Sequence, residues 1–233
     1  MIDGRRNVFI VSGDIRVRSD IRHALAAHGL DTIEFETGAA YRAGPRPDVP
    51  ACLILDLVLS DMSGLGLQQE LAGQCPPVLF VSRHADIALS VRAMKAGALD
   101  FLTVPFCPAL LLSAVQAAIE VDAATRAQRE RMEQLRERHE RLTRRERQVM
   151  SLVVSGLLNK QVASELGISE VTVEIHRSRV MQKMGAASFA GLVRMAESLR
   201  IALDTLTMVT LVTPPTLRSH VRSPAFSPVL VQT

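Results

Sequence analysis

Short apolar runs alternate with amphipathic stretches along the first 120 residues. "NVFIV" (7–11), "ACLILDL" (51–57), "PVLFVS" (77–82) and "ALDFL" (98–102) are rich in Val, Ile, Leu and Phe and are bounded by turn residues. They read as buried parallel strands. "LDTIEFE" (30–36) is a weaker fifth candidate. Between and after them, "VRSDIRHALAAHG", "GLGLQQELAG", "DIALSVRAMKAG" and "PALLLSAVQAAIE" carry helical periodicity, and the first three end on Gly29, Gly73 and Gly97. Glycine suits a helix C-terminus. Repeated strand–helix alternation predicts a doubly wound, five-stranded parallel α/β sheet. Ligands of such sheets sit at the carboxyl ends of the strands, where Ser12, Asp56, Ser82 and Thr103 fall.

The pattern changes after residue 120. "TRAQRERMEQLRERHERL" is charge-dense and helical, with opposite charges three and four residues apart. Met132, Leu135 and Leu142 form a thin apolar seam, which fits a short coiled coil or a solvated spacer helix. Residues 142–203 are helical throughout, and residues 204–233 have no period and read as an irregular tail. The expected organisation is a domain over 1–120, a helical linker over 121–139, an all-α four-helix domain over 140–203, and the tail.

Charge sharpens this division. The net charge is +3, but residues 1–121 sum to −3, residues 122–141 to +1, residues 142–200 to +4 and the tail to +1. Only the later half is expected to meet a polyanion. With 48% hydrophobic residues the chain can build real cores. No run of about 18 apolar residues predicts a membrane span, and no signal peptide is read at the N-terminus, so the expected location is the cytoplasm. Cys52, Cys75 and Cys107 are scattered and lack metal-ligand spacing, so reduced thiols are expected.

Asp56 interrupts an apolar run in "LILDLVLSDMSG", and a carboxylate at a strand end is costly unless it has a partner or a task. With "DMSG", "AMKAGALDF" and the Pro105–Phe106 pair, residues 7–120 resemble the receiver domain of two-component response regulators of the FixJ/NarL branch. The resemblance implies that Asp56 is the phosphoacceptor, Ser82 the hydroxyl of the switch and Phe101 its aromatic partner. It also implies an acidic pair after the first strand to hold Mg²⁺ and a lysine just before Pro105. Developing phosphoryl charge needs such cations. Here the acidic positions are Ser12 and Gly13, Asp14 comes one residue late, and the lysine position is Val104. The expected consequence is an atypical receiver in which Asp56 is a poor phosphoryl acceptor. No cofactor is then expected, Mg²⁺ binding only if the acidic site functions. The alternative keeps Asp56 as a conventional phosphoacceptor, with Asp14 bending in to hold the ion.

"LTRRERQVMSLVVSGLLNKQVASELGISEVTVEIHRSRVMQKMGAAS" carries the second signal. Thr143 and Glu146 fit a capping box, Gly156 ends that helix, Asn159 is expected to cap the next, and Ser169 a third. "ELGIS" is too short for anything but a tight turn, which makes a helix-turn-helix. The segment resembles the LuxR-type DNA-binding domain. The resemblance places the third helix, about Glu170 to Met184, in the major groove. Val173, Val180 and Met184 are expected to face the core. Glu174, Ile175, Arg177, Ser178, Arg179 and Lys183 are then left for solvent or DNA: arginine can read guanine, Lys183, Lys160 and Thr172 are expected on phosphate, and Glu174 either accepts from a cytosine amino group or repels the backbone.

The expected function is a DNA-binding transcriptional regulator. Its expected partners are double-stranded DNA, a second copy of the chain and, as a candidate, a sensor histidine kinase; no membrane partner is expected. The competing class is a protein that acts through receiver contacts without binding DNA. An enzyme is not expected, because no nucleophile–base arrangement, phosphate-binding loop or metal cluster is legible.

Overall fold

A computed structural model describes residues 7–45, 47–83 and 87–200. The chain divides into two compact units, with the boundary between Arg131 and Met132.

The first unit is a five-stranded parallel sheet in the order β2-β1-β3-β4-β5. Its strands are β1 (Asn7–Val11), β2 (Asp31–Phe35), β3 (Ala51–Asp56), β4 (Val78–Ser82) and β5 (Asp100–Thr103). The helices are α1 (Ile15–Ala26), α2 (Gly38–Ala43), α3 (Gly64–Glu70), α4 (Ile87–Lys95) and α5 (Pro108–Glu140). The three central strands are buried on both faces, which is why they read as unbroken apolar runs. The edge strand β2 is only half-buried, which is why its signal is weak. Alternate residues divide the core. Val8, Ile10, Cys52, Ile54, Leu79 and Val81 pack with α1 and α5. Phe9, Val11, Leu53, Leu55, Val78 and Phe80 pack on the other face, with Tyr41, Leu67 and Ala93.

Two expectations change here. Helix α2 is not legible as a helix: it has six residues, and side chains at its start stabilise it. Thr37 accepts from Ala40 N, and Asp61 accepts from Gly38 N and Ala39 N at 3.1 and 2.9 Å. The segment expected as a helical linker over 121–139 is helical and continues α5, and its first turns serve the sheet. The Asp122 carboxylate is buried, accepts from Ala51 N at 2.9 Å at the start of β3, and pairs with Arg126 at 2.7 Å. Arg126 also meets Asp48, and Arg129 donates to the Gly73 carbonyl.

The second unit holds α6 (Arg144–Val154), α7 (Asn159–Leu166), α8 (Glu170–Met184) and α9 (Phe189–Ser198). Val149, Met150, Val153, Val162, Val173, Val180, Met184 and Leu192 form its centre. Leu142 is buried in this core and Leu135 packs against it, so the seam read over 132–142 serves the unit's own packing. The capping box of Thr143 and Glu146 is present, and Ser169 caps α8. Asn159 does not cap α7. Leu158 holds that position, its N–H donating to Gln161 Oε1 at 2.8 Å, while Asn159 is the first helical residue. Between α7 and α8 the chain turns at Gly167, whose φ of 64° is left-handed and favours glycine. The segment 201–233, with the expected tail, lies outside the described residues.

Candidate functional site

Ser12, Asp56 and Ser82 sit together at the carboxyl ends of β1, β3 and β4, which are neighbours in the sheet. Ser12 and Ser82 are buried, and Asp56 is half-buried. Both oxygens of Asp56 are engaged. Oδ2 accepts from the Ser12 hydroxyl at 2.7 Å, and Oδ1 accepts from Val58 N at 3.2 Å. Ser12 is held in turn, because its Oγ accepts from Asp14 N at 3.2 Å. A hydroxyl oriented this way donates its hydrogen bond to the carboxylate. Gly64 closes the loop below. Its N–H donates to Leu57 O at 2.8 Å, and a Cβ there would lie 2.1 Å from the Asp56 carbonyl oxygen, so only glycine fits.

The remaining expected positions are placed elsewhere. Gly13 is exposed and offers no side chain. Asp14 caps α1, accepting from Arg16 N at 2.8 Å, and pairs with Arg83. The Arg16 N–H bond, and then the Arg83 charge, hold its carboxyl below the usual carboxylate range. Arg83 follows Ser82 at the end of β4, while Asp14 follows β1. Their ion pair therefore spans the end of β3, about 10 Å at two strand spacings. Val104 packs with Leu102 and Phe106 against the α1–α5 core, and its N–H donates to Ser82 O at 2.8 Å. Phe101 is half-buried in the opposite core and lies in register with Phe80. Asp61 and Arg83 were missed from sequence: their partners are 22 or more residues away for Asp61, and across two strands for Arg83.

In the second unit, α8 has two faces. Val173, Val180 and Met184 are fully buried, as expected from their spacing. Roughly opposite them lie Val171, Ile175, Ser178 and Gln182, flanked by Glu174 and Arg179, all exposed. Val171 and Gln182 belong to this face but escape the sequence reading. Lys160 is also exposed, at the start of α7. Thr172 is half-buried, with its hydroxyl 2.8 Å from Ser169 Oγ, so it completes the cap of α8.

Two cations expected to face DNA are taken up inside the unit. Lys183 Nζ donates to Glu146 Oε2 at 2.7 Å and to Arg141 O at 3.4 Å. Glu146 is buried and also accepts from Thr143 N at 2.8 Å. Burial pushes the Glu146 carboxyl up, but Lys183 and Thr143 outweigh it and hold the group below its ordinary value. Arg177 donates to Asn159 Oδ1 and lies 5.3 Å from the centre of the Phe189 ring. It thus ties α8 to the start of α7 and of α9. The physical reason is position: both side chains sit toward the packed side of α8, where charges must be paired.

Residues 8–116 match the family described as "Response regulator receiver domain", and residues 140–196 match "Bacterial regulatory proteins, luxR family". Nodulation protein W of Bradyrhizobium diazoefficiens is 44% identical over 199 residues, covering 84% of this chain and 88% of that protein. The response regulator protein TodT of Pseudomonas putida is 38% identical over 206 residues, covering 88% and 91%. Among solved structures, the response regulator StyR matches with a TM-score of 0.74 and 41% identity, covering 83% of this chain and 98% of that one. With both family matches in one chain, and with relatives of this identity aligned along most of its length, the protein belongs to the two-component response regulators of FixJ/NarL type.

Proposed function

We propose that this protein is a DNA-binding transcriptional regulator, not an enzyme, whose receiver does not depend on phosphorylation of Asp56. The observation that carries this reading is the Ser12–Asp56 hydrogen bond at 2.7 Å. A hydroxyl donor occupies the carboxylate oxygen where a receiver with an acidic pair would have a metal between two carboxylates. The residues present do not fit Mg²⁺. Gly13 lends no ligand, Asp14 is committed to α1 and Arg83, and no three His, Cys, Asp or Glu converge among the described residues. The lysine position is Val104, whose half-buried side chain packs against the core.

Charge decides the consequence. A phosphoryl group on Asp56 would bring about −1.5 to −2 charges to this mouth. The cations placed at this mouth are already engaged: Arg83 pairs with Asp14, and Arg18 donates to the Ser12 carbonyl and pairs with Glu34. The site therefore favours the unmodified carboxylate, held by one hydroxyl and one N–H. Control of the second unit then comes from binding events at the receiver, with a second copy of the chain and a sensor kinase as the proposed partners.

DNA binding is supported by the exposed face of α8, by Lys160 and Arg179, and by the +4 charge of residues 142–200. The test is a titration of duplex DNA with the full chain, beside Asp56→Asn, with and without Mg²⁺ and a small phosphodonor. Binding that weakens steeply with salt and, at a fixed Mg²⁺ concentration, is equal for wild type and Asp56→Asn with or without the phosphodonor is expected. A phosphodonor that tightens binding by wild type alone would overturn the receiver half of the proposal, and salt-insensitive or absent binding the other half.

A further inference from the structure

The expectation that the arginines of α8 read guanine is not met at Arg177, whose side chain is engaged within the unit, while Arg179 stays exposed. Arg177 is engaged by Asn159 and Phe189, and Lys183 by Glu146. What α8 presents outward in its first turns is instead Val171, Glu174, Ile175 and Ser178. Val171 is 64% exposed and Ile175 47% exposed, two branched aliphatics one helical turn apart on a surface with no packing use for them. The same face starts at the N-terminus of α8, the end of a recognition helix that contacts base edges.

Three of these outward groups, Val171, Ile175 and Glu174, each match one kind of base edge. Aliphatic side chains pack on the 5-methyl group of thymine, and a carboxylate accepts from the N4 amino group of cytosine but has no donor for guanine O6 and N7. Glu174 lies beside Ile175 on this face, and exposed Lys160 and Arg179 offer positive charge to the duplex backbone.

We propose that Val171 and Ile175 determine sequence specificity by packing on thymine methyl groups, with Glu174 accepting from a cytosine amino group. Arg177 is a positioning residue that holds α7 and α9 against α8. This rests on the DNA-binding reading above, and the experiment separates the two. The full chain is used to select duplexes from a random library. The selected duplex is then remade with deoxyuridine for each thymine in turn, which removes only the methyl group.

Loss of one buried methyl is expected to weaken binding about fourfold. Val171→Ala and Ile175→Ala should each abolish the thymine–uracil difference at one position, because the partner of that methyl is gone. Glu174→Gln should relax the preference for cytosine at one position by about tenfold. Arg177→Lys should weaken binding to all sequences alike, without moving any base preference. If a duplex is selected but every uracil variant binds as tightly as the parent, the inference is overturned while DNA binding stands. A preference for guanine that disappears in Arg177→Lys overturns it equally. If no duplex is selected at all, the DNA-binding reading falls, and the inference with it.

Discussion

The mouth of the sheet and the surface of α8 are both places where a family motif puts charges facing a ligand, and they differ in how this chain departs from the motif. At the sheet the charges themselves are changed. Ser12, Gly13 and Val104 stand at the electrostatic positions, and the Asp56 carboxylate accepts from a hydroxyl and an N–H. On α8 the charges are present, but Arg177 and Lys183 are spent on the unit's own structure. The first difference is visible in residue identity. The second appears only when partners are known. A motif thus tells what a side chain is, and the fold tells what it is free to do.

The largest effect expected from this comparison concerns Lys183. If it serves structure, Lys183→Ala leaves the buried Glu146 carboxylate without its cation and costs about 3 kcal/mol of stability, read by denaturant unfolding. An unchanged unfolding midpoint would return Lys183 to the DNA-facing set. Next comes Gly64→Ala. It forces a methyl into the Asp56 carbonyl oxygen and should cost about 2 kcal/mol through strain at the site, again by denaturant unfolding.

The receiver half can be sharpened by restoring what is changed. Wild type should show the same Tm with and without Mg²⁺. Replacing Ser12 and Gly13 together by Asp should create an acidic cluster that repels itself without metal and is stabilised by it. With a dissociation constant of about 1 mM, 10 mM Mg²⁺ would add about 1.4 kcal/mol. A rise in wild-type Tm on adding Mg²⁺ would break the comparison.

The smallest effect is on pH dependence. Burial, and then Arg147, hold the His139 imidazole below its ordinary value. The folded protein therefore binds this proton less readily than the unfolded chain. The stabilisation is present above the ordinary histidine value near 6.5 and is lost as pH falls below it. His139→Gln should flatten this dependence between about pH 7 and 5, by less than about 1 kcal/mol, as seen in thermal unfolding across pH. Glu146, held low, adds a second loss only at more acid pH, as pH falls from its ordinary value of 4.5 toward its lowered one.

How much of this was legible in the sequence follows the range of the interactions. The strands, the capping box and the core side of α8 are set by spacings of two to seven residues, and they stand where the pattern put them. Helix α2 depends on Asp61, more than twenty residues ahead. The end of the receiver depends on Asp122 reaching Ala51, 71 residues back. The engagement of Lys183 depends on Glu146, 37 residues away, and that of Arg177 on Asn159, 18 away. No local periodicity contains those pairings. At the sheet mouth the reverse holds. Asp56 and the changed positions around it were readable, whereas the Ser12 hydroxyl as its partner and the Arg83–Asp14 ion pair required the strand order β1-β3-β4.

The central proposal is that Asp56, bonded to Ser12 and without an acidic pair beside it, is a poor phosphoryl acceptor. Its most direct test is the intact mass of the full chain after incubation with a small phosphodonor and Mg²⁺. The account predicts a mass unchanged from that of the untreated chain. A stoichiometric gain of one phosphoryl group, absent in Asp56→Asn, would contradict it.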